Sequence, residues 1–188
     1  VCPQGFLSAC ALVRARGDKE RLLPQKGETI LYLGAGHGTT ISHLHDLICG
    51  ENGNEGGRIL AVDLSPRCLR DLNHLALSRP GILPILADAR NHSRWGMMMP
   101  HKVNWMLQDV SQAGQAAMFL EAAHRCLASG GIALLSLKAA SERWSDEGEK
   151  ALFVAVEEEL EQGGLIVEEV LNLHGLQDNH RMFITRMP

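Results

Sequence analysis

The residues best suited to chemistry stand where short apolar runs stop. Ile30 to Leu33 is such a run, followed by Gly34, Gly36 and Gly38 at every second residue, with Ala35 between the first two. Thr39 and Thr40 then open a helical pattern through Ile41, Leu44, Leu47 and Ile48. A strand, a glycine turn and a helix N-terminus together bring backbone N–H groups close to a nucleotide-like ligand. The dinucleotide fingerprint spaces its glycines G-x-G-x-x-G; the G-x-G-x-G spacing here favours S-adenosylmethionine over a nicotinamide cofactor, with a bare structural turn as the plain alternative. Arg58 to Asp63 is a second run and ends in an acid 25 residues past Gly38, with Leu64 beside it. That carboxylate is placed to accept hydrogen bonds from both hydroxyls of a ribose. Ile82 to Ala87 is followed by Asp88-Ala89-Arg90, where the acid can accept from the exocyclic amine of adenine. Val103 to Leu107 is followed by Asp109, and Ile132 to Leu137 runs straight into Lys138. Asp109 and Lys138 end consecutive strands and can face each other, and a carboxylate within about 4–6 Å holds a lysine charged and oriented. A salt bridge without catalysis is the plain reading of the same pair.

These side chains need elements that bring strand ends together. Helical spacing recurs in Pro66 to Ser78, with Leu69, Leu72, Leu75 and Ala76 on one face and Pro66 suited to a first turn. Gln112 to Leu127 reads as a helix closed by Ser129-Gly130-Gly131, and Glu147 to Gln162 as an acidic amphipathic helix stopped by Gly163-Gly164. Leu165 to Leu173 and Met182 to Arg186 read as a closing antiparallel pair, Val1 to Arg16 as a leading helix, and Gly50 to Gly57 as a polar surface loop. Strands alternating with helices predict one α/β domain over residues 1–188, its sheet mostly parallel and seven-stranded with a terminal antiparallel pair. Ligands of such sheets bind beyond the carboxyl ends of the strands, where every candidate above stands.

Bulk properties narrow the classes. The five cysteines contain no C-x-x-C pair, which reads as reduced thiols of an intracellular protein rather than a disulfide framework or a zinc site. His43 and His45 are two residues apart and point to different faces of a helix, so no metal is expected and the histidines read as scattered surface residues. No apolar run approaches the roughly 20 residues of a membrane span, no signal-peptide pattern opens the chain, and no membrane contact is expected. The net charge is -4. Proteins that grip nucleic acid unaided usually carry a basic surplus, so an RNA substrate would be held by something else. Arg14, Arg16, Lys19 and Arg21 form a small basic cluster that reads as a solvated face.

Leu31 to His43, L-Y-L-G-A-G-H-G-T-T-I-S-H, resembles the L-Y-L-G-A-x-x-G-T-T-x-S-H motif of fibrillarin and the archaeal fibrillarin-like 2′-O-methyltransferases. Asp88-Ala89-Arg90 matches the family's D-A-R. D-V-S-Q at Asp109 to Gln112 resembles D-V-A-Q, S-L-K-A at Ser136 to Ala139 resembles the I-K-A strand end, and Asn179-His180 falls where the family has D-H. The likeness extends from about Phe6 to the end. It implies a class I, Rossmann-like methyltransferase fold and S-adenosylmethionine held by Gly34, Thr39, Thr40, Asp63, Asp88 and Gln112, with Ala35, Gly36, Gly38, Leu64, Ala89 and Asp109 around it. It also implies a catalytic tetrad of Lys, Asp, Lys and His, onto which Asp109, Lys138 and His180 fall. The first lysine, carried by the family in R-S-K-L-A-A-A, has no match: Ala9 or Cys10 stands there. The family's small N-terminal domain has no counterpart in this sequence.

Methyl transfer from a sulfonium needs an in-line nucleophile near 3–3.5 Å, and a ribose 2′-hydroxyl needs a base or an oriented charge as it loses its proton. Lys138 suits that role, with Asp109 orienting it and His180 in support. The expected function is 2′-O-methylation of ribosomal or transfer RNA, inside a particle of box C/D-type guide RNA, a scaffold protein and a kink-turn-binding protein. Such a protein would be cytoplasmic in an archaeon and nucleolar in a eukaryote. The rivals are a methyltransferase acting on protein, a non-catalytic assembly subunit, and an NAD-dependent oxidoreductase.

Overall fold

Alternating burial along the strands builds the architecture. In Thr29–Leu33 (β1), Leu31 and Leu33 pack to one side of the sheet while Ile30 and Tyr32 pack to the other, all buried. Arg58–Asp63 (β2) does the same with Leu60 and Val62 against Ile59 and Ala61. A sheet apolar on both faces must be covered on both. A computed structural model of the chain describes residues 20–50, 53–99, 101–142, 148–173 and 180–188; the expected leading helix, the Ala9 and Cys10 positions, most of the basic cluster and Asn179 lie outside them. Of the basic cluster, Arg21 is described, and it pairs with Glu168 at 2.9 Å.

The sheet has seven strands in the order β3-β2-β1-β4-β5-β7-β6, with β3 Ile82–Leu86, β4 Val103–Gln108, β5 Leu127–Lys138, β6 Ile166–Asn172 and β7 His180–Arg186. β7 runs antiparallel to both its neighbours and the remaining pairs are parallel. Chain order reverses between β1 and β4, and in open sheets of this kind that switch point opens a crevice. Pro84 sits in β3, an edge strand, where a missing N–H is tolerated.

Thr39–Cys49 (α1) and Pro66–Ser78 (α2) cover one face through Ile41, Leu44, Ile48 and Leu72. Gln115–Cys126 (α4) and Gly148–Gln162 (α5) cover the other through Phe119, Ala123, Phe153 and Leu160. α2 starts where the sequence predicts: Ser65 accepts the Cys68 N–H at 3.3 Å and Pro66 fills the first turn.

Four features depart from the sequence reading. α4 begins at Gln115, not Gln112, because the Glu142 carboxylate caps it, accepting the Gly114 N–H at 3.0 Å and the Gln115 N–H at 2.8 Å. β5 runs back through Ser129-Gly130-Gly131, since Gly130 donates to Met187 at 2.8 Å and Met187 donates to Gly131 at 3.0 Å. A short helix, His92–Trp95 (α3), follows β3, anchored by the buried Trp95, whose indole N–H donates to the Ala89 carbonyl at 3.2 Å. His45 is a core residue, not a surface one: it is 1% exposed, with Nε2 at 2.8 Å from the Pro80 carbonyl.

Candidate active site

The carboxyl ends of β1 to β4 are tied to one another by backbone bonds. Gly34 and Ala35 donate to the Val62 carbonyl at 2.9 and 3.1 Å, Ala87 donates to Asp63 at 3.1 Å, and Asp109 donates to Leu33 at 2.8 Å. Gly34 has φ +83°, and a Cβ there would lie 2.1 Å from the Asp109 carbonyl oxygen. Only glycine lets these two strand ends close so tightly. Above them lies a cleft of about 460 Å³, floored by Gly34, Gly36 and Asp109 and walled by Asp63, Leu64, Ala89 and Gln112.

At one end of the cleft the Asp63 carboxylate is held by the backbone. Its Oδ2 accepts the Gly36 N–H at 2.7 Å and its Oδ1 accepts the Ser65 N–H at 2.8 Å. A carboxylate offers about four acceptor sites, so both oxygens retain capacity for the adjacent hydroxyls of a ribose. Gln112 also lines the cleft, and its side-chain oxygen is buried with no hydrogen-bond partner among the described residues. A buried acceptor without a donor is uncommon in folded proteins, and this one lines the cleft, so a bound ligand would satisfy it. A carboxylate with acceptor capacity left, the close backbone and a buried acceptor without a donor among the described residues fit an adenosine-bearing cofactor.

The other end is built from side chains of three strands. Asp109 follows β4, Lys138 ends β5, and His180 opens β7 directly opposite Lys138 in the antiparallel register. Burial pushes the Asp109 carboxyl above the usual carboxylate range, while the charge of His180, a hydrogen bond from Ser136 and the charge of Lys138 pull against it. The neighbours oppose the desolvation of this carboxyl without reversing it, an arrangement that recurs at sites where protons move.

Lys138 is fixed from behind. The fully buried Gln115 clamps its backbone, with Oε1 accepting the Lys138 N–H at 3.2 Å and Nε2 donating to the Lys138 carbonyl at 3.1 Å. Nε2 also meets Glu142 at 3.1 Å, the carboxylate that caps α4. One helix N-terminus, one amide and one acid therefore set the strand end from which the lysine projects.

The structure gathers most of the predicted site. Gly34, Gly36, Asp63, Leu64, Ala89, Asp109 and Gln112 line the cleft, and Lys138 and His180 flank its Asp109 end. Ala35, Gly38, Thr39 and Thr40 do not line it; they form the turn and the start of α1 behind it. The Asp88 carboxylate turns to Arg90, which donates from Nη2 at 2.6 Å, from Nε at 3.0 Å and from its backbone N–H at 2.9 Å. That partner, chiefly the guanidinium bond, holds the Asp88 carboxyl below its ordinary range, and Asp88 is not among the residues lining the cleft. The sequence assigns no site role to Ser65, Gln115, Ser136 or Glu142. The Ser-Pro helix start carried a signal for Ser65; the other three act through tertiary contacts that leave no local pattern.

The sequence matches the Fibrillarin family model over residues 11–188. The chain belongs to the fibrillarin family. The fibrillarin-like rRNA/tRNA 2′-O-methyltransferase of Thermococcus gammatolerans is 37% identical over 162 residues, which are 86% of this chain and 68% of the relative. Among solved structures, Aeropyrum pernix fibrillarin with natively bound S-adenosyl-L-methionine superimposes with TM-score 0.80 and 29% identity, over 97% of this chain and 76% of that one. Fibrillarin from a fibrillarin/Nop5p complex gives TM-score 0.84 and 26% identity, over 99% and 83%. This fibrillarin-family chain has the Rossmann-like fold of S-adenosylmethionine-dependent methyltransferases, with the reversed β7 that the sequence predicts.

Proposed function

We propose that this fibrillarin-family chain is an S-adenosylmethionine-dependent methyltransferase of RNA, modifying ribose 2′-hydroxyls of ribosomal or transfer RNA within a ribonucleoprotein. The observation that carries this reading is the convergence of Asp109, Lys138 and His180 at one end of a cleft whose other end presents Asp63. The name of the Thermococcus relative and the cofactor bound to the Aeropyrum fibrillarin point the same way.

The cofactor would supply an electrophilic methyl group on a sulfonium. Asp63 would hold its ribose, the Gly34–Gly36 turn would admit it closely, and Gln112 would accept one of its donors. Lys138, kept as an ammonium and oriented by Asp109 and by the Gln115 clamp, would orient the ribose hydroxyl and stabilise the negative charge that develops on its oxygen as the proton passes to water. His180 holds the Asp109 side of that arrangement. Positioning of this kind supplies several kcal/mol of a transfer barrier, and a charged donor aimed at the developing oxyanion adds roughly 10²–10³ in rate.

The chain carries a net charge of -4, which is poorly suited to gripping phosphates alone. A protein partner of the Nop5p kind, a guide RNA of box C/D type and a kink-turn-binding protein would hold and present the substrate. The test is transfer of a labelled methyl from S-adenosylmethionine to RNA, with and without such a scaffold and guide. Ribose methylation that requires the scaffold is expected. A second reading, a non-catalytic assembly subunit, draws on the Ala9 or Cys10 found where the family's first lysine belongs. It would be favoured if every scaffold and RNA leaves the chain inactive and a lysine restored at either position brings no activity.

A further inference from the structure

A second constellation of nucleophile, imidazole and carboxylate lies outside the cleft and shares no side chain with the transfer centre. His37, in the glycine loop, sets Nδ1 at 2.7 Å from Asp71 Oδ2 and Nε2 at 3.7 Å from Cys68 Sγ. Cys68 and Asp71 are three apart on α2, so one helix face carries both ends of the relay. Arg70 donates to the other Asp71 oxygen at 3.2 Å, and the bonds from His37 and then Arg70 hold the Asp71 carboxyl below its ordinary range. An ionised carboxylate only accepts, so Nδ1 of a neutral imidazole is the donor and Nε2 keeps its lone pair facing the thiol. A nucleophile facing a base that a third group orients is the arrangement that activates cysteine for attack.

The other described thiols differ in exposure, although Cys126 Sγ also lies 3.4 Å from His92 Nε2. Cys49 and Cys126 are fully buried; burial raises the Cys49 thiol and pushes Cys126 up to about 11, whereas Cys68 is half-exposed beside a His37 side chain that is 54% exposed.

We propose that Cys68, His37 and Asp71 form a reactive-thiol site that takes small disulfides. As the thiol proton passes to His37 Nε2, Cys68 Sγ attacks one sulfur of the disulfide. The new S–S bond to Cys68 forms as the old one breaks; the electron pair leaves on the departing thiolate, which takes the proton back from the imidazolium. Cys68 is oxidised to a mixed disulfide and the reagent is reduced to one thiol, so the step is complete without another reactant.

The test treats the full chain with oxidised glutathione and with dithiobisnitrobenzoate at neutral pH. Peptide mapping separates Cys68 from Cys2, Cys10, Cys49 and Cys126. A free thiol is only a few per cent ionised at neutral pH, which leaves room for acceleration. Cys68 should react about tenfold faster than N-acetylcysteine, a gain kept modest because easier ionisation also lowers nucleophilicity. His37→Gln should bring that rate down to the free-thiol value. Asp71→Asn, which leaves the glycine loop untouched, should lose much of the acceleration at an unchanged melting temperature. Reaction no faster than N-acetylcysteine, or a rate indifferent to both substitutions, would overturn the proposal.

Discussion

The two ends of the cleft are built on opposite principles. At the Asp63 end the work is done by backbone: two N–H groups fix the carboxylate, and strand-end amides donate to neighbouring carbonyls. Among the described residues no cation pairs with Asp63. At the Asp109 end three side chains from separate strands meet, the carboxyl is raised by burial, and His180, Ser136 and Lys138 oppose that rise. A backbone-held site is ready before ligand arrives and is suited to binding. A site whose charges answer to one another is suited to stabilising a state that exists only during transfer.

If that division holds, substitutions should split cleanly between affinity and rate. The largest effect belongs to Lys138→Ala, which should cut methyl transfer by roughly 10²–10³ while cofactor affinity stays within about twofold. Single-turnover transfer and calorimetric titration with S-adenosylhomocysteine read the two quantities separately. A parallel loss in both would mean that the lysine serves binding and that the two ends are not distinct.

Asp63→Ala should do the reverse. Losing charge-assisted bonds to two hydroxyls costs about 1–3 kcal/mol, or roughly 5–150-fold in cofactor affinity, with transfer at saturating cofactor little changed. Cofactor affinity indifferent to this substitution would place the adenosine elsewhere.

Gln115→Met sharpens the comparison, since the Gln115 amide hydrogen-bonds the backbone of Lys138. The change keeps most of the volume, removes the amide, and should lower the turnover rate about tenfold with KM for RNA and cofactor affinity unchanged, because misplacing a reacting group by ångström fractions is costly. A purely structural role would lower the melting temperature alone. Glu at this position would leave one acceptor for the Lys138 N–H and should recover part of the rate.

What the sequence disclosed followed the physics of each feature. Short apolar runs located every strand of the sheet, because burial on both faces leaves such a run, and those of the parallel strands end where the ligand cleft begins. The strand-end acids and Lys138 were legible for the same reason. Contacts between distant residues were not. The arginine two residues past Asp88 could equally have faced solvent, and nothing in N-H-S-R-W announces a helix anchored by one buried indole. His45 sits in a run that alternates histidines, yet the helix turns one of them into the core, where it finds the Pro80 carbonyl. The relay from Asp71 through His37 to Cys68 spans 31 residues between its last two members, and spacing says nothing about it.

The smallest effect tests the electrostatic half of the comparison without any substrate. Asp109 has a folded-state pKa raised above the unfolded value, burial being the leading cause. Between the two values the native state binds the extra proton, so the contribution of this carboxyl to stability is fully present below the unfolded pKa of about 3.9 and is lost as pH rises through the folded one. Asparagine has no charge to bury. In the absence of ligand, Asp109→Asn should therefore be more stable than the parent at pH 7, and the gap should narrow as pH falls toward the carboxylate range. Denaturant titrations of both proteins across that span measure it. The same variant should transfer methyl groups poorly, having lost the charge that orients Lys138. Should the asparagine protein prove less stable at neutral pH, His180 and Lys138 would be holding the carboxylate more strongly than burial opposes it, and the Asp109 end would be a structural ion cluster like any other.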